Sequence, residues 1–216
     1  MKIYAISGLG ADERVFKYLS LEHELVPISW IKPQNKESII DYSQRLIDKY
    51  DLRNEKDFGV LGVSFGGLIA TEISKLLNPI FTILISSAET RDNLNGVIKL
   101  VGKSKLIELI PERLFNPPKP IAHFLFGTDK KELLNSILDD TDLNFAKWAT
   151  RALINWQNQT SLSNLIKIGG SKDKLLAPKG KNTIIIENGE HFMIVDRADE
   201  ISEIINEKIK TYYNNK

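Results

Sequence analysis

Residues Gly62-Val63-Ser64-Phe65-Gly66 set a serine between two glycines in the order G-x-S-x-G, a pattern suited to nucleophilic catalysis. A serine hydroxyl attacks only when a base takes its proton, and that base needs a carboxylate to hold its tautomer. Small residues on both sides let a strand and a helix close on a sharp turn that lifts the hydroxyl clear. The chain has three histidines: His23, His123 and His191. His191, in Glu187-Asn188-Gly189-Glu190-His191-Phe192, is the best candidate base. Asp173, in Ile168-Gly169-Gly170-Ser171-Lys172-Asp173-Lys174, is the best candidate carboxylate, with Glu89 and Asp92 in reserve.

These residues need a scaffold that brings them together. Six β-rich runs are expected: Ile3–Ser7, Leu25–Trp30, Phe58–Val63, Phe81–Ser86, Leu165–Gly169 and Thr183–Glu187. Most are apolar on both faces, as in a parallel sheet covered by helices. The segments between them carry helical periodicity, clearest in Ser38–Ile47 and in Ala198–Tyr213, where Ile201, Ile204, Ile205 and Ile209 form one stripe. Strands alternating with helices predict an α/β fold with a doubly wound, mostly parallel six-stranded sheet.

Loops at the carboxyl ends of such strands converge on one edge of the sheet. Ser64 ends the third strand, Asp173 follows the fifth, and His191 follows the sixth. His23 precedes the second strand, at the opposite edge, and reads as a surface residue. The order Ser…Asp…His favours Asp173 over Glu89 and Asp92, which follow the fourth strand. Only Lys174–Asn182 separates the last two strands, short for a parallel crossover, which usually contains a helix. This predicts either a connection without a helix or an unusual pairing of the last strand.

The alternation breaks once, after the fourth strand. Asn95–Leu109, Asp129–Leu138 and Leu143–Trp156 read as helices, the last with Asp142 as N-cap, and Pro111 can open a turn. Asn116-Pro117-Pro118-Lys119-Pro120 is expected to interrupt any helix. Such an insertion is too long for an ordinary loop. Residues 91–158 therefore read as a helical cap, and residues 1–90 with 159–216 as the core. His123 lies in the cap, where packing or solvent exposure competes with substrate contact. Phe115, Phe124, Phe126, Trp148 and Trp156 either line an acyl pocket or form the cap's own small core. His123, Phe124 and Trp148 are the substrate-contact candidates.

The totals are those of an ordinary globular chain: 216 residues, 42% hydrophobic and 26% charged. A net charge of +1 makes no case for nucleic acid or an anionic membrane as partner. No cysteine is present, which excludes a thiolate nucleophile, disulfides and Cys-type zinc sites. Three scattered histidines lack metal-ligand spacing, so no metal is expected. The segment Gly62–Gly67 lacks the Lys-Ser/Thr ending of a phosphate-binding P-loop, and no organic cofactor is expected. Strand-like Lys2–Ser7 at the start leaves no room for a signal peptide, and a cytoplasmic location is the expectation. Oligomeric state is not legible.

Taken together, the elbow Gly62–Gly66, the loop Ser7-Gly8-Leu9-Gly10-Ala11-Asp12, Gly170–Asp173 with Pro178 beyond it, and Gly189–Phe192 resemble the α/β-hydrolase superfamily. The likeness is to a small serine esterase-like member with a cap, and it covers most of the chain. It implies Ser64, Asp173 and His191 as a catalytic triad, and an oxyanion hole of the Phe65 and Leu9 backbone N–H groups. Elementary physics agrees, since Phe65 opens a helix whose dipole favours negative charge. Gly8 and Gly10 would let the neighbouring loop approach closely. Two N-terminal strands common in larger relatives are absent here, which implies a minimal core. Ser7 stands where a histidine often precedes the first glycine, so the loop needs a different hydrogen-bond support.

The expected activity is hydrolysis of a small or medium uncharged carboxylic ester or thioester through an acyl-enzyme on Ser64. No basic cluster is expected near the site, which argues against a highly anionic substrate. Acyl transfer or cofactor-free lyase chemistry on the same triad, and non-catalytic ligand binding, are the competing classes.

Overall fold

The computed structural model describes residues 1–94, 117–180 and 182–214. Its centre is a six-stranded sheet of β1 (Lys2–Ile6), β2 (Glu24–Ile28), β3 (Gly59–Val63), β4 (Phe81–Ile85), β5 (Leu165–Gly170) and β6 (Thr183–Ile186). The strands lie in the order β2-β1-β3-β4-β5-β6, and every neighbouring pair is parallel. Each expected strand is present, within one or two residues of its expected ends.

The apolar runs serve two cores because successive side chains leave opposite faces of a strand. Ile3, Ala5, Leu61, Ile83 and Ile85 enter one core, while Tyr4, Ile6, Val60 and Leu84 enter the other. Helices α1 (Ile39–Lys49) and α2 (Phe65–Leu77) cover the second face. Ser38 starts α1 by accepting a hydrogen bond from the Asp41 amide. The first face is covered by the C-terminal helix, whose Ile201, Ile205 and Ile209 are buried on the expected stripe.

The β5–β6 connection resolves the choice left open above. The two strands pair in parallel, from Lys167 opposite Thr183 to Gly170 opposite Ile186. Among the described residues their connection has no helix, only turns closed by Asp173 N–H to Gly170 O and Thr183 N–H to Gly180 O.

Between β4 and β5 stand helices α3 (Lys119–Phe126), α4 (Lys131–Asp139) and α5 (Leu143–Asn155), after a short 3-10 turn at Arg91–Asn93. The helix expected at Asn95–Leu109, the turn at Pro111, and Phe115 lie outside the described residues. Asp142 caps α5 as expected, accepting from the amides of Asn144 and Phe145. The expectation at Asn116–Pro120 is corrected: α3 begins inside that proline run. Pro118 is its N-cap residue and Pro120 lies in its first turn. First-turn N–H groups have no partner within a helix, so proline's missing donor costs nothing there.

The elbow depends on missing side chains. A β-carbon on Gly66 would run into Ser7 O and Ile6 O, and one on Gly62 would meet Gly66 O at 2.5 Å. Those neighbours are backbone atoms, which cannot swing aside as the end of a side chain could. Gly66→Ala is expected to cost about 3 kcal/mol, the upper end of the usual overpacking penalty. A lowered midpoint in urea unfolding would register it, and an unchanged midpoint would contradict the close approach.

Candidate active site

Ser64 occupies the turn between β3 and α2 with φ 51° and ψ −120°, a conformation that non-glycine residues rarely adopt. Strain of this kind costs on the order of 1–3 kcal/mol and persists only where the surroundings enforce it. Here Ser64 N–H donates to Ile85 O at 2.9 Å. Ser64 O accepts from the Ser87 hydroxyl at 2.6 Å and from Gly67 N–H at 3.0 Å. The Ser64 side chain makes no helix-capping bond, which leaves its hydroxyl for another partner.

That partner is His191. Its Nε2 lies 2.9 Å from Ser64 Oγ, and its Nδ1 lies 3.0 and 2.9 Å from the two carboxylate oxygens of Asp173. Both side chains of the His191–Asp173 pair are almost fully buried, at 3% and 0% exposure. An ionised carboxylate can only accept, so Nδ1 carries the proton. The Nε2 lone pair then faces the serine hydroxyl.

Asp173 sits at a tight turn where its Oδ1 also accepts from the amides of Leu175 and Leu176, at 2.9 and 2.8 Å. Burial pushes its pKa up, but the hydrogen bond and charge of His191, then the two amides, outweigh burial and hold it below the ordinary carboxylate value. The loops carrying Asp173 and His191 are laced together. Ser171 N–H donates to Ile186 O, Lys172 N–H to Gly189 O, and Asn188 N–H to Ser171 Oγ. His191 is then held from the insertion side by Phe126, whose ring meets it edge-on at 5.5 Å and whose carbonyl accepts from Phe192 N–H.

The reserve carboxylates lie elsewhere. Glu89 Oε1 accepts from Leu162 N–H at 2.7 Å, and Asp92 is exposed on the Arg91–Asn93 turn. His23 stands at the amino end of β2, its ring 6.4 Å from that of Tyr213.

A cavity of about 270 Å³ opens at Ser64 and His191. Gly8 and Leu9 form one part of its wall. Val15, Phe126, Leu134, Ile137, Leu138 and Leu176 make the rest strongly apolar. The structure does not bring His123, Phe124 or Trp148 into this lining. His123 Nε2 is 2.8 Å from Asn135 Oδ1 instead. Phe124 is 65% exposed, with Lys174 Nζ over its ring. Trp148 donates to Glu37 O and packs on Tyr42 with ring centres 4.3 Å apart. Trp156 is likewise packed away, donating to Glu72 Oε1 in the core. Polarity and ring size drew attention to those residues, whereas the cavity is built mainly from aliphatic side chains. The signal available in the sequence was the periodicity of Leu134, Ile137 and Leu138 on one face of α4.

The support for the Ser7–Asp12 loop is also visible. Ala11 O accepts from the Ser7 hydroxyl at 2.7 Å and from Trp30 Nε1 at 2.9 Å. The serine standing where histidine is common thus ties down the loop, aided by an indole reaching over from the end of β2.

No protein-family model matches the sequence, and no curated protein matches it. Solved structures do. An esterase from Thermogutta terrifontis superposes with a TM-score of 0.71 at 12% identity, covering 98% of this chain and 90% of that one. The RedJ thioesterase of the prodiginine pathway in Streptomyces coelicolor gives 0.65 at 14%, covering 96% and 85%. ClbQ from the colibactin NRPS/PKS pathway gives 0.64 at 14%, covering 100% and 99%. With its parallel sheet, flanking helices and strand–turn–helix elbow, the chain has the α/β-hydrolase fold.

Proposed function

We propose that this protein is a serine hydrolase that cleaves a small or medium carboxylic ester or thioester through an acyl-enzyme on Ser64. The observation that carries the reading is the unbroken line of hydrogen bonds from Asp173 through His191 to Ser64. Ser64 Oγ attacks the acyl carbon while its proton passes to His191 Nε2. The imidazolium, steadied by Asp173, then gives that proton to the departing alcohol or thiol. A water molecule enters by the reverse proton route, and the acid leaves.

Negative charge forming on the acyl oxygen would be met by the backbone N–H groups of Phe65 and Leu9. Phe65 is the first residue of α2, where the helix dipole is positive. A β-carbon on Gly8 would lie 3.4 Å from Ser64 Cβ, so the neighbouring loop passes directly beside the nucleophile. Each such donor is worth about 3 kcal/mol. The aliphatic lining of the cavity favours an uncharged, apolar acyl group. The thioesterase and esterase activities named for the structural neighbours support the same reaction class.

The test combines a fluorophosphonate probe with p-nitrophenyl esters of increasing acyl length. Labelling that is absent in Ser64→Ala, with turnover of short or medium esters, is the expected result. A folded wild-type protein that resists the probe would reject the reading.

Loop support gives a finer prediction. Ser7→Ala and Trp30→Phe each remove one of the two donors to Ala11 O. Each is expected to lower kcat about tenfold, part of what an oxyanion donor is worth, with KM nearly unchanged. The double variant should lose more than either. A change confined to KM would argue that the loop only binds substrate.

A further inference from the structure

We propose that Lys167 is a nucleophilic amine at a second site, which captures a small hydroxylated aldehyde as an imine. The site shares no lining residue with the cavity at Ser64.

Topology makes the room. Ile166 and Ile168 belong to the core under the C-terminal helix, so Lys167 leaves β5 on the opposite face, the one that carries α2. There β3, α2 and β4 form a crossover. A β5–β6 crossover running the same way across the sheet would put its helix on the same face. Among the described residues that connection has no helix, and beside it lies a cavity of about 350 Å³. Its lining is mostly polar and includes Glu89, Ser161, Ser163, Lys179 and Thr183.

The surroundings of the amine suit its neutral form. Lys167 is only 5% exposed, and its Nζ donates to Asn93 Oδ1 at 2.8 Å and to Lys179 O at 2.9 Å. Both acceptors are uncharged. Among the described residues no carboxylate pairs with it; Glu89, on the same wall, accepts from Leu162 N–H instead. An ammonium has three N–H donors to satisfy, whereas a neutral amine has two and a lone pair. Two acceptors therefore serve the neutral form fully and leave the third direction to the lone pair. Burial, only partly offset by the charge of Glu89, holds the pKa below the ordinary lysine value. Gly180 supplies the approach. It is exposed, and a β-carbon there would stand 3.9 Å from Nζ, so the missing side chain leaves the amine reachable.

In the reaction the Nζ lone pair attacks the carbonyl carbon, and a proton passes from nitrogen to the former carbonyl oxygen. The carbinolamine then loses water to give the imine, with no oxidant or reductant needed. Glu89 is the one carboxylate in the lining that can shuttle these protons. The exposed hydroxyls of Ser161 and Ser163 have no partner among the described residues, and they are free to bond the hydroxyl groups of the aldehyde.

The experiment incubates the wild-type chain with D-glyceraldehyde and cyanoborohydride near neutral pH, which fixes the imine as a secondary amine. Peptide mass spectrometry then reads the rate at each lysine. Lys167 is expected to react about tenfold faster than the exposed lysines, and its rate to level off at a lower pH. Propionaldehyde, which has no hydroxyl groups, is expected to lose most of that selectivity. The surface variant S161A/S163A, with thermal unfolding verified, should lose it with glyceraldehyde. Ser64→Ala should label as the wild type does, which keeps this outcome distinct from that of the hydrolase reading. Labelling of Lys167 no faster than that of exposed lysines, or equal selectivity with both aldehydes, would overturn the proposal.

Discussion

Replacing Ser64 with alanine is expected to lower kcat on a short ester by about six orders of magnitude, and His191→Ala by nearly as much. The reason is the shared bond. In the proposed mechanism Ser64 Oγ and His191 Nε2, 2.9 Å apart, act as one proton-transfer unit, so each depends on the other for its role. The two losses should therefore not add, and the double variant should be no slower than the worse single variant. Steady-state kinetics on protein quantified by probe labelling of the wild type would measure this. Turnover above about one per cent in Ser64→Ala would place the nucleophile elsewhere, since the residual rate left after losing a triad member is far smaller.

Asp173→Asn carries the second largest expected effect, about four orders of magnitude in kcat. The local hydrogen bonds indicate why. Oδ1 of Asp173 is held by the amides of Leu175 and Leu176, which require an acceptor. An asparagine would keep its carbonyl oxygen there and turn its NH2 group toward His191 Nδ1. The ring would then accept at Nδ1 and carry its proton on Nε2, where it can no longer take one from Ser64. Glu89→Gln and Asp92→Asn are expected to stay within a few-fold of wild type. A nearly silent Asp173→Asn alongside a crippling change at either of those positions would reassign the acid. Because the Asp173 pKa is lowered on folding, its ionised form stabilises the protein at neutral pH. That contribution is lost only as pH falls below the ordinary carboxylate range and through the folded-state value.

Much of the architecture was legible because local chemistry dictates it. Runs such as Phe81–Ile85 are apolar at every position, which only a strand buried on both faces tolerates. Asp142 announced the start of its helix because a short oxygen-bearing side chain can satisfy amides that no backbone carbonyl reaches. Helix α3 was hidden by prolines that read as breakers, although a first turn accepts them. The cavity lining was misjudged for a related reason. His123, Phe124 and Trp148 are conspicuous as residue types, yet a helix turns each of them toward a neighbour of its own.

The sequence by itself determined the chemistry available at the elbow. Glycines at 62 and 66 around Ser64 permit a turn that a β-carbon at either position would obstruct, and His191 and Asp173 followed as candidates from their places after later strands. Tertiary structure decided what no spacing along the chain encodes. It set Asp173 rather than Glu89 against His191 Nδ1, with Glu89 accepting from Leu162 N–H, and it joined Ser7 and Trp30 on one carbonyl. Contacts between distant residues arise when the two cores close around the sheet, so their geometry belongs to the packed whole rather than to any local pattern.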